Sequence, residues 1–91
     1  GEEGFVSVIT AVDLHNRSII SGPDIHVRGI AEDSSVFDEA RTRVAEAIVA
    51  AMRDGVDDSH RLQQVTRRTV GQWVAKSLRR RPMIVPVVVT T

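Results

Sequence analysis

The sequence predicts an α+β fold, a two-layer sandwich in the order strand-strand-strand-helix-helix-strand, with two helices packed on one small sheet. Three observations carry this. Apolar residues alternate with a period of two near the start, in FVSVITAVDL (5 to 14), and β-formers dominate the end, in MIVPVVVTT (83 to 91). Between them, two stretches repeat their apolar residues every three or four positions, each preceded by capping residues. No repeat, low-complexity segment or linker divides the chain, so helices and strands must share one core.

The first strand places Val6, Val8, Val12 and Leu14 on one face and Phe5, Ile9 and Ala11 on the other. Apolar residues on both faces predict a central strand. HNRS (15 to 18) supplies turn residues, IIS (19 to 21) is the return arm of a hairpin, and GPD (22 to 24) breaks it. IHVRGI (25 to 30) is a third short strand, with Ile25 and Val27 on one face, His26 and Arg28 on the other, and a bend or bulge at Gly29. Ser35 is the predicted cap of the first helix, with Asp38 as a short-armed capping-box acid. Phe37, Ala40, Val44, Ile48, Ala51 and Met52 form its stripe, and Gly55 is the terminating residue. DDSH (57 to 60) caps a second helix from about residue 59 to 80, whose stripe is Leu62, Val65, Val70, Trp73, Val74 and Leu78. Gly71 within it costs about 1 kcal/mol relative to alanine, so a close approach of the first helix or the sheet is expected there. Pro82 blocks continuation and turns Arg81 out of helical geometry. Pro86 cannot donate a ladder hydrogen bond, which marks the last strand as an edge or a bulge.

At 91 residues and 42% hydrophobic content the chain suits one small folded domain. So small a core is marginal alone, and without cysteine it has no disulfide to help it, so association with another subunit or domain is expected. The lack of cysteine fits a reducing compartment and excludes thiolate metal sites and cysteine nucleophiles. No apolar run approaches the ~18 residues of a membrane span, so no membrane partner is expected. A chain that begins almost directly on a strand, without methionine, reads as a piece of something longer. Its zero net charge hides a polarity. Residues 1 to 58 hold 12 acidic and 5 basic side chains, a balance of −7, and residues 59 to 91 hold 7 basic and no acidic ones.

Candidate chemistry is sparse. The histidines at 15, 26 and 60 fall in a turn, on a strand and at a helix start, without the spacing of a zinc site. The acidic pairs Glu2–Glu3, Glu32–Asp33, Asp38–Glu39 and Asp57–Asp58 are explained mainly by capping and solubility. No catalytic residue, metal ligand or cofactor site is assigned. The basic cluster of Lys76, Arg79, Arg80 and Arg81, with Arg67 and Arg68 upstream, is the remaining feature, and eleven of the twelve basic residues are arginine. Arginine suits bidentate phosphate contacts, but Phe5, Phe37 and Trp73 all occupy apolar positions, which leaves no stacking platform for single strands. Offsetting the helix dipole and solvating the helix end explain the cluster equally simply.

Two motifs carry a resemblance. SGPDIHVRGI (21 to 30), with Gly22, Pro23, Arg28 and Gly29, and RRRPMIVPVVV (79 to 89), with Pro82 and Pro86, stand in this order with two helices between them. The chain thereby resembles, over essentially its whole length, the C-terminal domain of ribonuclease J. The finish VVVTT and the polar segment 31 to 35 depart from that family's pattern and bear on local detail only. The resemblance implies a parent built of a metallo-β-lactamase domain and an inserted β-CASP domain. That parent would be a cytoplasmic, zinc-dependent hydrolase of RNA processing and decay. The family's HxHxDH metal motif has no counterpart here, so zinc is expected in the absent catalytic domain and this chain alone is expected to be inactive. Its implied role is assembly, as a homo-oligomer or dimer, and support of the complete enzyme, with RNA reached through the parent. The alternative is an RNA-binding module that uses Lys76, Arg79, Arg80 and Arg81.

Overall fold

In a computed structural model that describes residues 4–91, the elements are β1 (Phe5–Asp13), β2 (Ser18–Arg28), a 3₁₀ turn (Ser34–Phe37), α1 (Asp38–Arg53), α2 (Ser59–Ser77) and β3 (Met83–Thr90). The Glu2–Glu3 pair lies outside the described residues. The sheet order is β2-β1-β3, with β1 antiparallel to β2 and parallel to β3. The two helices cover one face, α1 over β2 and α2 over β3. This is the two-layer α+β sandwich, with β1 central and β3 at an edge.

The core is the face that the alternation of β1 selects. Val6, Val8 and Val12 are fully buried, and Ile25 from β2 and Val88 from β3 join them. The helices answer with Phe37, Ala40, Val44, Ile48 and Met52, and with Leu62, Val70, Trp73 and Val74. Phe37 and Trp73 stack tilted, 5.1 Å between ring centres, and the Trp73 indole donates to Glu39 Oε2 at 3.1 Å, so its one polar atom is satisfied at the rim. Thr10 and Thr66 are the buried polar residues among those described. Thr66 Oγ1 donates to the Leu62 carbonyl at 2.9 Å, whereas Thr10 Oγ1 has no partner among the described residues.

Four local expectations change. The residues predicted as a second and a third strand are the two arms of one strand, β2, and GPD does not break it. Between the pairs Ile9–Asp24 and Ala11–Ser21, both Gly22 and Pro23 stand opposite the single residue Thr10, so a bulge absorbs the proline without ending the ladder. Gly22 has φ +83°, and a Cβ there would lie 2.5 Å from the Ile9 carbonyl oxygen, so only glycine fits. The Gly22–Pro23 peptide is cis. Second, Asp33 rather than Ser35 caps the first helical turn, its carboxylate accepting from the Ser35 N–H at 2.9 Å. A carboxylate two residues earlier catches the first free N–H, and the 3₁₀ turn then feeds α1.

Third, α2 ends at Ser77, with Leu78 as its C-cap and Arg79 at φ +56°. The left-handed residue reverses the chain three residues before Pro82, so the proline follows the stop and does not cause it. Fourth, Gly71 faces the Ile84 Cδ1 methyl, but an added Cβ would sit 3.5 Å from it, an ordinary contact. The sheet does approach at Gly71, yet sterics do not require glycine. Other ends follow expectation. Asp58 accepts from the Arg61 N–H at 3.0 Å, and Gly55, at φ +99°, closes α1 with bonds from Gly55 N–H to Met52 C=O and from Val56 N–H to Ala51 C=O.

Candidate functional site and assembly face

The second face of the sheet is bare. The helices occupy only one side, and on the other β3 presents Met83, Val85, Val87 and Val89, while β1 presents Phe5, Ser7, Ile9 and Ala11. Met83 is 45% exposed, Ile9 42%, Val87 37% and Val89 51%. The pleat makes this unavoidable: β3 is apolar at nearly every position, so one of its faces must look outward. Contiguous exposed apolar surface is a common feature of interaction sites. The β2 third of the same face is polar, with Asp24, His26 and Arg28 all exposed.

The edges of the sheet are obstructed. The Met83 N–H donates to Gly4 C=O and the Thr91 N–H to Val12 C=O, so odd-numbered β3 residues turn their backbone toward β1. Ile84, Pro86 and Val88 therefore turn theirs outward. Arg67 Nη1 donates to Ile84 C=O at 2.9 Å, Pro86 has no N–H, and the Val88 N–H donates to Gln63 Oε1 at 3.0 Å. On the β2 side, Pro23 brings no N–H and its C=O accepts from Arg41 Nε at 3.1 Å. Each edge thus combines a proline with an arginine from the helix above it, a device that discourages strand addition. Pro82 is half-buried in the approach to β3, while Gly29, at φ +73°, turns the chain out of β2.

The arginine-rich end is at the opposite pole of the sheet from the β1–β2 turn. Lys76 lies in the last turn of α2, and Lys76, Arg79, Arg80 and Arg81 are all exposed. Phe5 pairs with both Arg28 and Met83, which places Arg28 at the same end. Sequence reading did not group Arg28 with these arginines, because the register that unites them is a long-range property. The end is mixed in sign: Asp38 holds Arg41 at 2.6 Å and Glu39 holds Arg43 at 3.0 Å in the first turns of α1. The histidines are dispersed, His15 in the turn, His26 on β2 and His60 in the first turn of α2. Among the described residues no three metal-ligating side chains converge. No helix of the described residues is long and apolar enough to cross a membrane.

The described residues form a small α+β domain with an open apolar sheet face and obstructed edges. The chain belongs to the ribonuclease J C-terminal domain family, whose model matches residues 1–91. It is 37% identical over 86 residues to ribonuclease J of Mycobacterium tuberculosis, covering 94% of this chain and 15% of that relative. It is 36% identical over 86 residues to ribonuclease J of Mycolicibacterium smegmatis, with the same coverage. Ribonuclease J 2 of Staphylococcus aureus is 30% identical over 90 residues, covering 96% of this chain and 16% of that protein. The chain thus spans about a sixth of the length of the curated relatives it matches.

Proposed function

We propose that this chain is the C-terminal assembly and support domain of a longer, cytoplasmic, zinc-dependent ribonuclease J-like RNA hydrolase of RNA processing and decay. The domain itself supplies no catalytic residue and no zinc ligand. The observation that carries this reading is the open sheet face: β1 and β3 keep apolar side chains in water that only a partner surface would dry. The test is the parent enzyme with and without residues 1–91. Removal is expected to lower the oligomeric order seen by light scattering and to reduce RNA cleavage, while zinc content stays unchanged. Unaltered assembly and activity after removal would refute the assembly role.

A second reading is favoured by the meeting of Arg28 with the 79–81 segment at one end of the sheet. In this reading the end contacts the phosphates of single-stranded RNA. Binding would weaken steeply with salt and fall on replacing Arg79, Arg80 and Arg81 with alanine. Absence of binding at low salt would end it.

A further inference from the structure

The outward face of α2 is basic and polar from one end to the other. Arg61, Gln64, Arg68, Gln72 and Lys76 follow one another at steps of three and four, so they line one side of the helix over about 22 Å, and all five are exposed. Among the described residues Arg61, Arg68 and Lys76 make no ion pair, whereas Arg41 and Arg43 of α1 are held by Asp38 and Glu39. Acids border α2 at its cap, Asp58, and on the α1 flank, where Glu39, Glu46 and Asp54 stand. Residues 59 to 91 hold none, so the β3 flank is free of acid and adds Arg67, which reaches across to the Ile84 carbonyl. This tract lies on the far side of the helix layer from the bare sheet face.

We infer that the tract is a docking surface for paired RNA, which it holds by the phosphate backbone without reading the bases. The inference rests on the reading of the parent as an enzyme that acts on RNA. Three features choose the occupant. Cations in a row, with no acid among them, complement a polyanion. The exposed residues of α2 include no phenylalanine, tyrosine or tryptophan and no aliphatic side chain larger than alanine, and His60 is a single ring. The helix therefore offers neither a stacking platform for a single strand nor an anchor for the dry centre of a protein interface. A duplex needs neither, because A-form RNA is recognised by its shape and through phosphates and 2′-hydroxyls. Finally, Gln64 and Gln72 interleave with the cations, and their amides both donate and accept, which suits the 2′-hydroxyls that DNA lacks.

The test measures binding of a short blunt RNA duplex to the parent enzyme by fluorescence anisotropy. Arg61→Gln/Arg68→Gln is expected to weaken binding roughly tenfold at low salt and to flatten the slope of log affinity against log salt by about 2, one for each lost phosphate contact. Arg61→Lys/Arg68→Lys, which keeps both charges, should retain most of the affinity, and Arg53→Gln, an exposed charge on α1, should change neither quantity. Unaltered duplex binding in the double glutamine variant overturns the proposal. An equal loss for a single strand or a DNA duplex of the same sequence also overturns it, since the tract would then be indifferent to paired RNA. Binding of polyglutamate in place of RNA, lost in the same variant, would assign the tract to an acidic protein. If the parent neither binds nor cleaves RNA, the reading of the parent falls first; if it cleaves RNA while the variant binds the duplex like wild type, this proposal falls alone. The substituted side chains are exposed and off the sheet face, so circular dichroism and light scattering should show the variants folded and assembled as the parent is.

Discussion

The two faces of one sheet differ less in composition than in what covers them. On β1 the covered face holds Val6, Val8, Thr10 and Val12, and the bare face holds Phe5, Ser7, Ile9 and Ala11. On β3, Pro86 and Val88 are buried beneath α2 while Val85 and Val87 are exposed. Burial is therefore not a property of residue type in this sheet. It is decided by the side on which the helices dock, and the apolar residues left over define the surface available for association. The same contrast sets what substitutions should do: on the covered face they should alter folding stability, and on the bare face, under the proposed assembly role, association.

The largest expected effect is on the covered face. Val8→Ala removes methyl groups from a fully buried site and should destabilise the domain by roughly 2–3 kcal/mol, read by urea unfolding. Val87→Glu, on the opposite face of the neighbouring strand, should leave the unfolding midpoint within about 0.5 kcal/mol of the parent value. It should nevertheless reduce the assembly of the full-length enzyme in sedimentation. If Val87→Glu unfolds the domain, the bare face is structural, and the contrast collapses.

Three smaller effects sharpen it. Thr10→Val keeps the shape of the side chain and removes a buried hydroxyl without a hydrogen-bond partner, so about 1 kcal/mol of added stability is expected in the same unfolding assay. Gly71→Ala should add about 0.5–1 kcal/mol, because the helix gains propensity and the new Cβ meets Ile84 at ordinary distance. The smallest concerns Asp13. The backbone and side-chain amides of Asn16 donate to its carboxylate and hold its pKa below the usual 3.8, with His15 adding to this. A carboxyl with a lowered folded-state pKa stabilises fully above its unfolded value and loses that contribution as pH falls through the folded one. Stability should thus show no Asp13 contribution to its pH slope between pH 7 and 5. Below about pH 3.8 the wild type should lose stability slightly faster than Asp13→Asn.

Much of this architecture was legible along the chain. The period-two run of 5 to 14 marked β1 as apolar on both sides, and β1 is the central strand. Pro86 marked an edge, and β3 is one. The stripes of α1 and α2 were read from their spacing, except that in α2 the core position falls at Thr66 rather than at the expected Val65, and the internal bond of Thr66 to Leu62 C=O makes that buried polar residue tolerable. The misread positions share a physical origin. At Gly22–Pro23 the local signal for a break was real, but pairing with β1 on both sides of the bulge keeps the strand whole. At Arg79 nothing in the residue type announces a left-handed turn, since arginine has no special preference for it. Of the candidate site, Lys76 and Arg79–Arg81 were visible as a cluster, whereas the bare face could not be seen until the helices were placed.

By itself the sequence determined which segments become helices and which become strands, though not the joining of Ser18–Arg28 into one strand or the stop of α2 at Ser77, because period, caps and breakers act over a few residues. It determined the absence of thiol chemistry and the concentration of positive charge after residue 58. Only the tertiary structure decided which face of β1 and β3 stays bare and how Arg67, Gln63 and Arg41 guard the edges. These depend on register and docking between segments up to some 80 residues apart, as in the Thr91–Val12 bond. No local pattern encodes such pairings, because their energy arises only when the whole core closes.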